Sequence, residues 1–318
     1  MQNLKIVAIG GGTGLSTLLR GLKKYNNNIT AIVTVADDGG SSGRLRKELG
    51  VLPPGDIRSC LVSMSEEESL MARLFQYRFK SKGSLSGHSF GNLFLTAMSD
   101  ISGSFDNAIR KSAEVLAIRG RVLPVTLSDV CIEAQLENGA VIRGESSIPK
   151  AGGKIKQISL VPNMPPAAPE VLDSLKKADV IIFGPGSLYT SIIVNLCVAG
   201  ISEAVKASNA YKIYVSNIMT QPGETDGYKL SDHIKAIEKH SYKGIIDCAI
   251  ANSGAILGHI AKRYEKSGAS QVLIDKTDVK TVKSKLYLDE FYARHDSSKL
   301  AKTIINVLRK AQKEGKVK

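Results

Sequence analysis

Two glycine-rich segments near the start of the chain gather the residue types that handle phosphate. Gly10-Gly11-Gly12-Thr13-Gly14 offers successive backbone N–H groups, and Asp37-Asp38-Gly39-Gly40-Ser41-Ser42-Gly43-Arg44 adds carboxylates, hydroxyls and a guanidinium. Without a Cβ, glycine takes dihedrals closed to other residues and lets an anion approach the main chain. Gly11, Gly12, Thr13 and Gly14 are therefore candidates for a diphosphate cradle, with Ser41 and Ser42 as further contacts. Asp37 stands where an acidic residue at a strand end often holds a ribose hydroxyl. Asp37 and Asp38 together suit Mg²⁺ beside a diphosphate, since hard cations prefer carboxylate oxygens. A solvated acidic turn explains them equally well. The same pair are the candidates for any catalytic role.

Further clusters share this chemistry. In Pro53-Pro54-Gly55-Asp56-Ile57-Arg58, Asp56 either caps the helix that follows or faces a ligand. Arg58 and Arg44 flank the region, and a guanidinium holds phosphate oxygens in a fixed fork. Gly184-Pro185-Gly186-Ser187-Leu188-Tyr189-Thr190-Ser191 is a third glycine turn leading into a helix. Here Gly186, Ser187, Tyr189 and Thr190 are ligand candidates, with ordinary N-capping as the alternative. In the loop 217–225, Asn217, Thr220 and Gln221 suit a nucleobase edge or a sugar, because amides and hydroxyls donate and accept without net charge. His88 and Asn92, in His88-Ser89-Phe90-Gly91-Asn92, read either as ligand contacts or as structural residues.

Several chemistries are excluded. The third glycine position of G-x-G-x-x-G is Leu15 or Thr17, depending on the starting glycine, so the dinucleotide fingerprint is absent. No Gly-Lys-Ser/Thr follows the first loop, which excludes a Walker site. The five histidines lie far apart and no H-E-x-x-H occurs, so no metal site is firm. Ser187 is not the nucleophile of a G-x-S-x-G elbow, because position 189 is Tyr.

The elements that position these residues follow from the apolar pattern. Leu4 to Ile9 and the run 29–36 read as buried strands, and 13–25 reads as a helix with Leu15, Leu18, Leu19 and Leu22 on one face. The segment of about 56–118 reads as almost wholly helical. About 121–161 reads as a small antiparallel β excursion, with Glu137-Asn138-Gly139 as its hairpin turn. Strands at 180–183, 212–216 and 244–249, each followed by a helix, resume a parallel pattern. The expectation is an α/β, Rossmann-like, doubly wound and mostly parallel sheet, in one nucleotide-binding domain over residues 1–318.

Composition narrows the partners. The net charge of +13 invites nucleic acid, but the basic residues are dispersed, aromatics are 5% and Trp is absent. An anionic small molecule fits better than nucleic acid. Four scattered cysteines, no leader and no apolar run of membrane length predict a cytoplasmic chain without membrane insertion. A homo-oligomer is compatible with the sequence, and no protein partner is indicated.

Six motifs taken in order, at 10–16, 34–44, 53–58, 87–93, 184–191 and 217–225, resemble the 2-phospho-L-lactate transferase (CofD-like) superfamily. The likeness is nearest to its bacterial branch, the YvcK-like gluconeogenesis factors, and runs to the Arg294-His295-Asp296 segment. The resemblance implies a Rossmann-like fold that binds a nucleotide. The YvcK-like branch implies a cytosolic binder of UDP-sugars such as UDP-N-acetylglucosamine, needed for cell shape and cell-wall precursor supply on gluconeogenic carbon sources. On that reading Gly11 to Gly14 take the diphosphate, and Asn217, Thr220 and Gln221 contact base or sugar. The transferase branch implies instead an enzyme moving phospholactate from a nucleotide-activated donor, with Asp37 or Asp38 positioning a metal. NAD is a further, adventitious ligand, since a nucleotide diphosphate site can accept half of a dinucleotide.

Overall fold

The computed structural model describes residues 3–65, 70–80, 82–288 and 292–317. Strands β1 (Ile6–Gly10) and β2 (Ile29–Val33) are buried at every position, as expected of a parallel sheet covered on both faces. β3 (Arg121–Pro124) joins the same sheet. Strands β4 (Cys131–Leu136), β5 (Val141–Arg143) and β6 (Ile155–Val161) form a separate antiparallel sheet in the order β5-β4-β6. The sequence alternates apolar and polar along β4, and the burial of Ile132, Ala134 and Leu136 follows that alternation. Asn138 accepts from the N–H of Ala140 at 3.0 Å and Gly139 takes φ of +88°, so the hairpin turn lies where its residue types predict.

The chain then returns to the large sheet through β7 (Val180–Phe183), β8 (Tyr211–Val215), β9 (Cys248–Asn252) and β10 (Lys280–Ser284). A two-stranded pairing of β11 (Tyr287–Leu288) with β12 (Arg294–His295) follows. All seven strands of the large sheet are parallel, in the order β10-β9-β8-β7-β1-β2-β3. The order reverses between β1 and β7. Such a reversal opens a crevice beyond the carboxyl ends of the strands, where α/β sheets take ligands.

Helices α1 (Gly12–Leu22), α2 (Gly40–Leu49), α3 (Gly55–Met64), α4 (Leu70–Gln76), α5 (Phe90–Ser102) and α6 (Phe105–Val115) precede β3. Among the described residues the expected helical stretch holds four helices, and Arg78 and Ser89 form a bridge between α4 and α5. Ser69, at the expected start of the second helix, lies outside the described residues. The helix after Gly186 is a π-helix, Leu188–Ile193, continued by one α turn. One apolar cluster extends from Leu4 to Val317 and takes in the large sheet, α1, α3 and the C-terminal helix Ser297–Lys313.

Three details differ from the sequence expectation. The antiparallel excursion, expected from about 121, starts only at β4, because β3 pairs parallel with β2 in the large sheet. The strand expected at 244–249 is Cys248–Asn252; Ile245 and Ile246 are buried in the approach to it instead. β10 was not expected, because Lys280, Lys283 and Ser284 give it a polar edge with no fully buried position.

Candidate functional site

A cleft of about 450 Å³ opens where β1 and β7 end. Its floor is the start of α1. Gly11 is extended and Gly12 turns left-handed at φ of +60°, with only an Asp56 oxygen, at 3.8 Å, near the place of a Cβ. Gly14 is needed for a different reason. A Cβ there would lie 2.4 Å from the carbonyl oxygen of Pro185, so its missing side chain lets α1 sit directly on the loop after β7.

The opposite wall carries the amide cluster. Gln221 donates through Nε2 to Ser187 Oγ at 2.6 Å, and Asn217 donates through Nδ2 to Gln221 Oε1 at 3.1 Å. Thr220 is tied to Ser270, donating its N–H to the carbonyl at 2.7 Å and accepting the Ser270 N–H at Oγ1 at 2.9 Å. These bonds fix the loop after β8 so that its polar edges face Gly186 and Ser187 across the cleft.

Carboxyl groups gather at the cleft's edge. The Gly12 N–H donates to Asp56, so this side chain already occupies the positive end of α1. Burial and then Asp37 push the Asp56 carboxyl up, the Gly12 N–H and Arg58 oppose the rise, and the result is about 7. Glu145, after β5, is pushed up to about 9 by burial and by Asp37, Asp56, Asp38 and Glu224. Burial also raises Glu224 to about 7, against backbone N–H groups of Tyr189 and Thr190. Its Oε2 is buried and without a partner among the described residues. Near neutral pH the cleft therefore holds carboxyl groups that share protons with solvent. Among the described residues, no group of three or more His, Cys, Asp or Glu side chains is set to hold a metal ion.

Of the residues singled out in the sequence, Gly11, Gly12, Thr13, Gly14, Asp37, Asp56, Gly186, Ser187, Asn217, Thr220 and Gln221 line this cleft. Others lie elsewhere. Asp38 accepts the N–H of Ser146 at 2.9 Å, tying the loop after β2 to the small sheet. Ser41 is buried between His88 Nδ1 and Asn92 Nδ2, each at 3.0 Å, and Ser42 accepts the Gly55 N–H at 3.1 Å. Arg44 donates to the carbonyls of Ser86 at 2.5 Å and Ser84 at 3.4 Å. Tyr189 bonds Tyr228 hydroxyl to hydroxyl at 2.8 Å and faces a second cavity of about 380 Å³, while Thr190 is buried in the π-helix. Arg58 lines a third cavity.

The sequence reading did not single out Glu145, Ser191, Thr17, Tyr264, Arg294 or His295 for the cleft, although all line it. The ring of His295 bonds the Ser216 backbone, and burial lowers it to about 4, so it is neutral at physiological pH. Its Nε2 has no partner among the described residues.

Comparison with known proteins adds to this geometry. The sequence profile of the family described as 2-phospho-L-lactate transferase CofD matches residues 6–292. A relative from Nostoc sp. (strain PCC 7120) is 54% identical over 309 residues, covering 95% of this chain and 68% of its own. The gluconeogenesis factor of Bacillus subtilis is 46% identical over 314 residues, covering 97% of this chain and 99% of that protein. A solved structure of a UPF0052 family member from Bacillus halodurans superposes with a TM-score of 0.92 at 48% identity, covering 96% of this chain and 100% of that one.

Proposed function

Because this chain belongs to the 2-phospho-L-lactate transferase CofD family, we propose that its cleft binds the nucleotide diphosphate of a UDP-sugar, such as UDP-N-acetylglucosamine, without turnover. Relatives named gluconeogenesis factor support a role in growth on gluconeogenic carbon sources; cell shape and cell-wall precursor supply are the readouts that the proposal adds. The wall of the cleft carries the reading. Backbone from two glycine loops faces an amide cluster, and Tyr264 is the one aromatic residue among the described residues that line it. A transferase needs an acceptor pocket able to stack a flat tricyclic ring. Tyr189 and Tyr228, the tyrosines nearest the motifs, are spent on each other beside the second cavity.

In this arrangement Gly11 to Gly14 and Gly186 take the phosphates, and Asn217, Thr220 and Gln221 read the base or sugar. The anion meets Asp37, Asp56 and Glu145, so it enters with protons on Asp56 and Glu145 or with Mg²⁺ carried on the diphosphate. Calorimetry with UDP-N-acetylglucosamine, UDP-glucose and GDP tests the reading: heat with the UDP-sugars supports it, and tight GDP binding with none from UDP-sugars overturns it.

The family match favours one alternative, phospholactate transfer from a nucleotide-activated donor. Here a carboxyl group titrating near 7, such as Asp56, would take the proton of an acceptor hydroxyl as its oxygen bonds to the phospholactate phosphorus and the nucleoside monophosphate leaves. Product from a deazaflavin precursor, activated phospholactate and Mg²⁺ would establish it. Complete inactivity alongside UDP-sugar binding would reject it.

A further inference from the structure

Thr13 has two sides. One lines the cleft; the other lines a separate cavity of about 270 Å³, whose rim carries Arg20 of α1, Arg58 of α3 and Arg78 of the loop after α4. None of these arginines forms an ion pair among the described residues. Arg20 has no hydrogen bond there either, and Arg58 Nε is buried without a partner. Three guanidinium groups gathered in a concavity repel one another: burial and then the charge of Arg78 lower the Arg58 guanidinium from its ordinary value, against Asp56 and Asp37, and it stays charged.

The arrangement is held in place. The Arg58 stem runs along Gly91, where a Cβ would lie 2.9 Å from Arg58 Cδ, and its Nη2 donates to Ser59 Oγ at 3.2 Å. Arg78 is anchored by donating to the Gly87 carbonyl at 3.0 Å. The cavity also offers the hydroxyls of Thr13, Ser16 and Ser59. Those of Ser16 and Ser59 donate to Gly12 and Gly55 carbonyls, each at 2.9 Å, while the Thr13 hydroxyl has no partner among the described residues.

We propose that this arginine basin is a second anion site, separate from the cleft, that binds a phosphoryl dianion. Guanidinium forks match phosphate oxygens two at a time, and a ligand with several anionic oxygens can satisfy all three arginines at once. Carboxylates fit less well, having two oxygens on one side of a plane. The phosphoryl group is either free orthophosphate or that of a small phosphomonoester, for which the cavity has room. This site goes beyond the UDP-sugar reading of the cleft and does not depend on it.

Calorimetric titration at low ionic strength with orthophosphate, and separately with glycerol 3-phosphate, decides the matter. Wild-type protein binds one equivalent. Arg20→Gln weakens binding about tenfold, the double variant Arg20→Gln/Arg78→Gln abolishes it, and Arg20→Lys recovers part of the loss. Gln221→Ala, a cleft variant, leaves it unchanged within about twofold. Binding of both probes marks the anion itself as the ligand, and binding of the ester alone marks an organic phosphate. No binding of either probe, unaltered binding in the arginine variants, or an equal loss in Gln221→Ala overturns the proposal. UDP-N-acetylglucosamine titrated into the same proteins reports on the cleft alone, so failure of that reading is distinguishable from failure of this one.

Discussion

The cleft and the arginine basin share Thr13 yet are opposite in construction. The cleft is walled mostly by backbone and amides, with three carboxyl groups, Asp37, Asp56 and Glu145, against one guanidinium, Arg294, whereas the basin is walled by guanidinium groups and hydroxyls. A surface of the first kind repels a bare anion. It admits one only when protons or a cation come too, and it selects through directional hydrogen bonds to the rest of the ligand. The proposed basin would take the charge itself and read little else. On the two proposals, neighbouring cavities in a chain of net charge +13 would divide recognition of shape from recognition of charge.

The largest effect expected on either side comes from Gly14→Ala. The new methyl group would meet the Pro185 carbonyl, its carbon and the Gly186 nitrogen, the nearest at 2.4 Å, and all three are backbone. Separating α1 from that loop should cost about 1–3 kcal/mol of stability. UDP-sugar affinity should fall at least about tenfold in the protein that remains folded, because both phosphate-facing loops move apart. Thermal denaturation and calorimetry check both values. A folded variant with undiminished affinity would place the diphosphate elsewhere.

Opposite pH slopes are the next largest contrast. Asp56 and Glu224 rise to about 7 and Glu145 to about 9, from ordinary values of 3.8 and 4.5. Above pH 4 the folded chain therefore holds protons that the unfolded chain has released. Stability from these groups falls as pH rises from about 4 through 7, and further toward 9. UDP-sugar affinity is set against the free folded protein instead: it should fall as pH rises above about 7, where Asp56 has lost its proton, and further above about 9 for Glu145, by up to about tenfold per pH unit for each proton taken up on binding. Asp56→Asn should flatten the slope near 7. The basin should behave in reverse, since arginine keeps its charge and a phosphomonoester becomes a dianion above about pH 6. Parallel slopes for UDP-N-acetylglucosamine and glycerol 3-phosphate would mean that one site serves both.

The cleft's walls were legible in the sequence because each is a local signal. A glycine turn at the end of an apolar run announces a strand, a turn and a helix start within ten residues, as Gly10 to Gly14 and Gly184 to Ser187 do. Asn217, Thr220 and Gln221 were legible for the same reason. The cleft's charge was not. Glu145 reaches it from the turn after β5 and Arg294 from β12, and neither has neighbours in sequence that mark it out. Arg20 is one arginine on an amphipathic helix until α3 and the loop after α4 bring Arg58 and Arg78 beside it. β10 was missed because an edge strand buries little and can carry lysines along its length.

Gln221→Ala should act on the cleft alone and by less. It removes the donor to Ser187 Oγ and the acceptor for Asn217 Nδ2, freeing two polar groups that the proposed function sets against a base or sugar. A loss of about tenfold in UDP-sugar affinity is expected, in keeping with one or two hydrogen bonds. Comparing UDP-N-acetylglucosamine with UDP shows which end of the ligand the cluster reads. An equal loss for both assigns it to the nucleotide, and a loss confined to the sugar derivative assigns it to the sugar.

Arg44→Ala sharpens the comparison by affecting neither cavity. Its sequence position beside Asp37 and Asp38 suggests a phosphate fork, but its guanidinium donates to the carbonyls of Ser86 and Ser84 and lines neither the cleft nor the basin. A guanidinium already satisfied by two carbonyls would have to leave them to reach a ligand, and the loop before α5 would lose its tether. The expected result is a stability loss of about 1 kcal/mol by thermal or urea denaturation. Affinities for UDP-N-acetylglucosamine and orthophosphate should stay within about twofold of wild type. A tenfold loss of UDP-sugar binding would mean that the loop carrying Arg44 swings into the cleft when the ligand arrives, and that the division between shape and charge is made only in the empty protein.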